Sequence, residues 1–434
     1  MADTPFEVKI DSLAYNGYGV GRVGGKVVFV PLTAPGDVVE CRIVREKKQF
    51  LFGEMVRLVI PSCQRRQPPC PVFGECGGCH WQHLPCDLQV DWKERIFRQM
   101  LQRSAGPGEE VFAAAAASPR EWGYRSRVQF KCRLGGQRFV AGFYRRQSHF
   151  VIDIDSCPLA DPKINAALQR YRRLISDSPY ASHIPQIDIS ADEEGRVRVV
   201  IHHLHANDAG LADHLLPEAV ESRDSLCFQT GRNHTLRHLH GESRLFTYPM
   251  GFGKSPRLGY GAGSFSQVNA EHNRRLVGEL LEMADLTGKE RVLDLFCGIG
   301  NLSLPLALQA GEVVGVESYP DAVTMARRNA AENRIGNARF VLGDANGLLA
   351  DLAGFDVAVL DPPREGAFAA VKGLIRHRPR KILYVSCNPA TLARDLVPLV
   401  HGGYEVVRAR AYDFFPQTFH IEGLVCLQRK NNFS

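Results

Sequence analysis

Apolar positions recur along the chain in rhythms that change twice. Through residues 6–60 they alternate in short runs, FEVKIDSL, KVVFVPL, DVVECRIV and LFGEMVRLV, broken by Asn16-Gly17, Gly24-Gly25 and Pro35-Gly36-Asp37. A period of two with turn residues between runs predicts strands, and a region of about 55 residues so spaced predicts a small barrel of the oligonucleotide-binding kind. A helical pattern follows at about 86–103. From about 122 to 262 the alternation is mostly strand-like, as in YRSRVQFKCRL, QRFVAGFYRR and RVRVVIHH, with one helical stretch near 161–175. The last 170 or so residues then alternate apolar strands with amphipathic helices, the βαβ order of a parallel, doubly wound sheet. The predicted fold class is therefore α/β plus β.

Length and composition set broad limits. At 434 residues, 44% hydrophobic and 23% charged, the chain suits roughly two to four globular domains. No apolar stretch approaches the ~18 residues of a membrane helix, and MADTPFEVKI has no signal layout. A cytoplasmic location without a membrane partner is expected.

Charge sharpens the picture more. Residues 42–66 carry seven Lys/Arg against Glu46 and Glu54, a net of +5, and residues 120–146 carry eight against Glu121, a net of +7. Against a total of +6, the remainder sums to −6, so two basic blocks sit on a mildly acidic body. That distribution suits phosphate contacts, solvated surface arginines being the plainer alternative. Tyr15, Tyr18, Phe50 and Phe52 lie near the first block and could stack on bases, or simply pack the barrel. The 12 cysteines point to thiol or metal chemistry.

The candidate chemistry gathers near the C-terminus. In RVLDLFCGIGNLSLPLALQAGEVVGVE, a strand at 291–296 leads into Gly298 and Gly300, then a helix and a second strand ending in Glu317. Such glycines let backbone approach a ligand at a helix start, and the acid reaches ribose hydroxyls. Ser303 stands where a nicotinamide site prefers glycine, and Asp294 suits the amino group of a sulfonium amino acid. Asp344, after strand three, suits an adenine amino group. S-adenosyl-L-methionine is thus preferred over a dinucleotide or a structural turn. Strand four sets Asp361-Pro362-Pro363-Arg364 at the ligand edge, and strand five, YVSCNP, delivers Cys387 there. A core or metal-ligand role explains that edge position less well than a nucleophilic one, and the helix start at Pro389 favours thiolate. Cys297 is expected to be structural, and Glu422 to be a base rather than an edge charge.

FSQVN (265–269), DLFCGIGNLSLPLA (294–307), LDPPREG (360–366), YVSCNPATLARD (384–395) and FPQTFHIE (415–422) together resemble the RNA uracil-5-methyltransferases over essentially the whole chain. The resemblance implies a TRAM barrel at 1–60, a central domain at 61–262 with residues about 90–124 packing on the next, and a class I methyltransferase domain at 263–434. It implies Cys387 as the nucleophile on C6 of a flipped uracil and Glu422 as the base at C5. Its cofactor contacts fall on Gln267, Phe296, Asn301, Glu317, Asp344 and Asp361. Cys70-x5-Cys76-x2-Cys79 with the distant Cys157 resembles the family's [4Fe-4S] ligands. Zinc is the alternative, with Cys63, His80 and Cys86 as further donors. Barrel and cluster together resemble members that act on 23S ribosomal RNA, the transfer-RNA members being expected to lack both. No protein partner is implied. Pro363-Arg364-Glu365 is expected to shape the pocket rim without touching the chemistry, and Cys63 and Cys86 to be spare. Three rivals are weaker: an exocyclic-amine methyltransferase wants an aromatic where Arg364 stands, a cytosine-5 enzyme wants a second cysteine on strand four, and a non-catalytic RNA-binding assembly factor needs neither Cys387 nor Glu422.

Overall fold

A computed structural model describes residues 4–136, 138–204, 209–231, 235–253, 255–348 and 354–430. Five strands close into the N-terminal barrel: β1 (Phe6–Leu13), β2 (Tyr18–Val23), β3 (Lys26–Pro31), β4 (Val38–Glu46) and β5 (Phe50–Ile60), in the order β1-β2-β3-β5-β4 with β4 returning to β1. Val8, Ile10, Val28, Val30 and Val39 fill it. The strand that the sequence pattern does not reveal is β2. Its glycines read as a turn, yet a Cβ at Gly19 would fall 2.0 Å from Thr33 Oγ1. Glycine is there for close packing.

Helix α1 (Cys86–Ala105) leads to the central sheet. Its elements are β6 (Arg127–Gly135), β7 (Arg138–Tyr144), β8 (Val151–Asp153), α2 (Pro162–Ser176), β9 (Gln186–Ala191), β10 (Val197–His202), α3 (Ala209–Ser222), β11 (Ser225–Gln229) and β12 (Arg237–His240). The strands run β12-β11-β10-β9-β6-β7-β8, and both helices bury their apolar sides in the core of this sheet. Helix α3 corrects the expectation of one helix in this region. Pro217 lies inside it and disguises the helical period. A small hairpin, β13 (Leu245–Thr247) and β14 (Leu258–Tyr260), completes the region.

The C-terminal domain comprises α4 (Ala270–Ala284), β15 (Arg291–Leu295), α5 (Ser303–Ala307), β16 (Glu312–Glu317), α6 (Pro320–Glu332), β17 (Ala338–Leu342), α7 (Ala345–Leu348), β18 (Val357–Leu360), α8 (Phe368–His377), β19 (Lys381–Ser386), α9 (Pro389–His401), β20 (Tyr404–Tyr412) and β21 (Glu422–Arg429). The sheet order is β17-β16-β15-β18-β19-β21-β20, parallel except that β21 runs antiparallel between β19 and β20. β18 and β19 are buried along their whole length, as strands covered on both faces must be. The strand order reverses between β15 and β18, so the crevice at their carboxyl ends is where such a sheet receives ligands. Helix α1 packs on α9 and β20, and Phe112 and Ala116 bridge to Ala409 and Tyr412. Among the described residues no helix is long and apolar enough to cross a membrane.

Candidate active site

The crevice begins where β15 ends. Phe296, Gly298 and Gly300 all take positive φ (64°, 55° and 94°), so the chain doubles back at once. A Cβ on Gly298 would meet nothing within 4 Å, which leaves open space beside the turn. Asp294 is fully buried. The Ser303 hydroxyl donates to its Oδ2, while its Oδ1 has no partner among the described residues. Burial, with Asp361 and Glu317 adding repulsion, lifts the Asp294 carboxyl to about 7. The serine that stands in place of a third glycine thus orients this acid. Glu317 accepts from the Gly298 amide at 3.1 Å and the Tyr319 amide at 2.8 Å, and Asn301 exchanges two amide hydrogen bonds with Asn273. Gln267 is half-buried in the loop before α4, and Asp344 is exposed beyond β17. Asp361 keeps some solvent access yet is packed closely enough that desolvation raises it to about 7.

The pairing of β19 with β21 brings the two proposed catalytic groups to one edge. Ser386 opposes Gly423, so Cys387 and Glu422 lie one step beyond the same rung. Burial, then Glu422 and Asp361, push the Cys387 thiol up to about 12, with Arg364 opposing. Burial and the two acids thus work against the thiolate that the α9 start favours, and Asn388 itself caps the helix, accepting from the Ala390 amide at 3.1 Å. Glu422 is 4% exposed, and burial raises its carboxyl well above the usual range. Arg364, exposed at the rim, opposes the upward shifts of both groups. From the rim its charge therefore reaches both groups.

Several residues around this pair escape sequence reasoning. Tyr15, from the barrel's β1–β2 turn, packs edge-on against Phe419 and makes a long contact, 3.4 Å, to Asn388. It neither fills the barrel nor stands free for stacking. The segment joining β20 to β21 is strapped down along its length. Lys93 on α1 pairs with Asp413, the two 1% and 2% exposed, and donates to Phe415 O at 3.1 Å. Tyr124 donates to Pro416 O at 3.1 Å. Gln417 is fully buried with φ 71°, a left-handed conformation that costs about 1–2 kcal/mol for a side chain with a Cβ. Its carbonyl accepts from the His80 and Trp81 amides at 2.9 and 3.0 Å, its backbone N–H donates to Gln89 Oε1, and its side-chain oxygen accepts from Gln89 Nε2. The available signal was the placement of Gln89 and Lys93 with Ile96, Phe97 and Leu101 on the buried face of α1. Polar groups on a helix's apolar stripe ask for partners.

Cys70, Cys76, Cys79 and Cys157 are electrostatic neighbours. Burial raises the thiols of Cys76, Cys79 and Cys157, with cysteine–cysteine repulsion adding and Arg125 opposing. Among the described residues no three His, Cys, Asp or Glu already form a metal-ready set. Cys63 is exposed, and the Sγ of Cys86 accepts from Gln417 Nε2 at 3.3 Å. Cys86 therefore joins the strap.

The basic blocks are less open than their charge suggests. Arg42, Arg57, Arg65, Arg66, Arg138 and Arg145 all form ion pairs within the chain. Arg45, Lys47 and Lys48 remain exposed at the β4–β5 tip, where Arg45 covers Phe52 and the rings of Tyr18, Phe29, Phe50 and Phe52 contact one another. A cleft of about 750 Å³ lies between barrel, cysteine loop and central sheet, lined by Tyr18, His80, Tyr144, Arg145, Arg146 and Phe419 among others.

Residues 86–430 match the model of the tRNA (uracil-5-)-methyltransferase family and residues 4–56 that of the TRAM domain. The 23S rRNA (uracil(1939)-C(5))-methyltransferase RlmD of Alkalilimnicola ehrlichii is 36% identical, over 98% of this chain and 97% of its own. That of Shewanella amazonensis is 34% identical, over 98% and 96%. The crystal structure of the Pyrococcus abyssi tRNA (uracil-54, C5)-methyltransferase in complex with S-adenosyl-L-homocysteine superposes with a TM-score of 0.75 at 26% identity, covering 97% of this chain and 100% of that one. This match corrects one expectation. A transfer-RNA enzyme shares nearly the full length, barrel included, so the barrel does not separate ribosomal from transfer-RNA substrates. The chain belongs to the tRNA (uracil-5-)-methyltransferase family, as an RNA uracil-C5 methyltransferase with a TRAM domain.

Proposed function

We propose that the protein methylates C5 of a uridine in 23S ribosomal RNA through a covalent bond between Cys387 and C6. The observation carrying this reading is the meeting of Cys387 and Glu422 across the β19–β21 pair beside a carboxylate-lined crevice. The two relatives named for 23S rRNA support the substrate. A base in folded RNA must leave its stack to reach so buried a pair, and the cleft and aromatic barrel face offer charge and rings for the strand around it.

The residues divide the work. Cys387, once deprotonated, adds its sulfur to C6, and the C5=C6 π pair moves toward C5 and O4, making C5 nucleophilic. S-adenosyl-L-methionine, when bound, supplies the methyl group that C5 takes up. Glu422 as carboxylate then removes the C5 proton, the C–H pair re-forms C5=C6, and the C6–S bond breaks to release the cysteine. Asp294, with an unpartnered buried oxygen, suits the donor's ammonium, and Glu317 its ribose. Gln267, Phe296, Asn301, Asp344 and Asp361 complete the proposed cofactor contacts. Cys70, Cys76, Cys79 and Cys157 are a soft donor set that would hold a [4Fe-4S] cluster, with zinc as the alternative. That group would tie the cysteine loop to the central sheet. Purification without oxygen should give a brown protein with about four irons; a colourless, zinc-loaded one would favour the rival metal.

Mapping 5-methyluridine in 23S ribosomal and transfer RNA, with and without the protein, tests the substrate. Loss confined to 23S RNA is expected. Loss from transfer RNA alone would move the target to the substrate class of the Pyrococcus enzyme.

A further inference from the structure

We infer that Gln417 is a positioning residue for Glu422, fixing the base-bearing segment to α1 and to the cysteine loop; this rests on the proposed division of work between Cys387 and Glu422. The segment from Asp413 to Ile421 is a tight connection whose end carries the base. Strand pairing anchors Glu422 opposite Tyr412, but the path into it is set by the turn. Gln417 sits at the crown of that turn, fully buried and left-handed. Every polar atom it has is engaged. Its amide donates to Gln89 Oε1 at 2.8 Å, and its Oε1 accepts from Gln89 Nε2 at 3.0 Å and Arg66 Nη2 at 2.9 Å. Its Nε2 donates to Cys86 Sγ, and its carbonyl receives the amides of His80 and Trp81, the two residues after Cys79. Within the turn, Thr418 Oγ1 donates to Phe415 O at 2.7 Å and accepts from the His420 amide at 3.3 Å, carrying the constraint to the edge of β21. A strained residue held by so many partners indicates an over-determined position, as is found at working sites. The partners come from the two elements that flank the cysteine loop, so whatever orders that loop is felt at the base.

The consequence concerns one step of the reaction. Attack by Cys387 and methyl uptake need no base at C5, whereas release of the cysteine does. Loosening Gln417 should therefore slow release selectively and let the protein–RNA adduct accumulate.

The test compares Gln417→Ala and Gln89→Ala with Glu422→Gln and the unaltered protein, using a uridine-containing substrate RNA with S-adenosyl-L-methionine. Adduct surviving denaturing electrophoresis, free methylated RNA, S-adenosyl-L-homocysteine affinity, thermal midpoint and amide exchange across 413–422 are measured. Gln89→Ala leaves the segment's own sequence intact and covers the case in which Gln417→Ala fails to fold. We expect released product to fall about tenfold in both, adduct to rise severalfold, exchange across 413–422 to quicken, and cofactor affinity to hold. Adduct and product falling together, with Glu422→Gln still trapping adduct, would overturn the inference alone. Free turnover by Glu422→Gln would remove the base assignment and the inference with it.

Discussion

Buried charge is handled in opposite ways at the two ends of the segment 413–422. At its start, Asp413 meets Lys93 with almost no solvent at either group. Burial pulls both toward their neutral forms, and each resists this for the other. At its end, Glu422 meets Asp361 and the Cys387 thiol, groups of like tendency, with the rim cation Arg364 opposing them. The first arrangement is complete and holds the chain. The second is incomplete, and protons or a cationic ligand must complete it, which is what a site for reversible chemistry requires. Distance along the chain is nine residues, yet one end is a fastening and the other the proposed reaction centre.

The contrast can be broken in four places. Cys387→Ala should lower methyl transfer by at least about 10³-fold with S-adenosyl-L-homocysteine still bound; transfer above a tenth of normal would remove the nucleophile. Lys93→Met leaves Asp413 buried and alone, a loss of about 3–5 kcal/mol in denaturant unfolding, much of it recovered when Asp413→Leu is added. A neutral single substitution would show that the fastening does not hold. The third lever is pH. Asp294 and Asp361 rise from 3.8 to about 7, so the folded state keeps protons that the unfolded chain gives up over that window, and the unliganded protein should lose stability as pH climbs from about 4 through 7. A cationic cofactor wants those acids ionised. Its affinity should therefore rise about tenfold from pH 6 to 8, the change for one group titrating near 7, as read by calorimetry; a flat profile would mean that neither acid meets the cation. The smallest effect is at the rim: Arg364→Gln should slow iodoacetamide alkylation of Cys387 at neutral pH by a few fold, and unchanged rates would return Arg364 to a steric role.

Much of the architecture was legible because it rests on local periodicity. FEVKIDSL is strand β1 to the residue, and the strand ending at Glu317 and the edge cysteine at 387 follow from the βαβ order. Where local rules and packing disagree, legibility fails. β2 hides behind glycines needed for close approach, and α3 behind Pro217. The thiol's ionisation is only half legible, because a helix start is visible in sequence while the desolvation and the acids of other strands are not. Arginines that look like a phosphate footprint are partly spent on Glu40, Glu54, Glu121 and Asp153, partners fixed only by the fold. Gln417 stands inside the motif FPQTFHIE, but its six hydrogen bonds reach residues 66, 80, 81, 86 and 89, which nothing in that string discloses.

β21 enters the sheet between two strands made before it. During synthesis β19 and β20 precede it from the ribosome, so the place beside β19 must stay vacant, or be provisionally filled, until the final hairpin closes. Until then the thiol at 387 has no acid across the rung from it. A nascent chain that already owns its barrel, its glycine turn and its cysteine therefore still lacks the acid to which the proposed release step is assigned. The order of the strands makes completion of β21 the moment at which Cys387 and Glu422 first face each other.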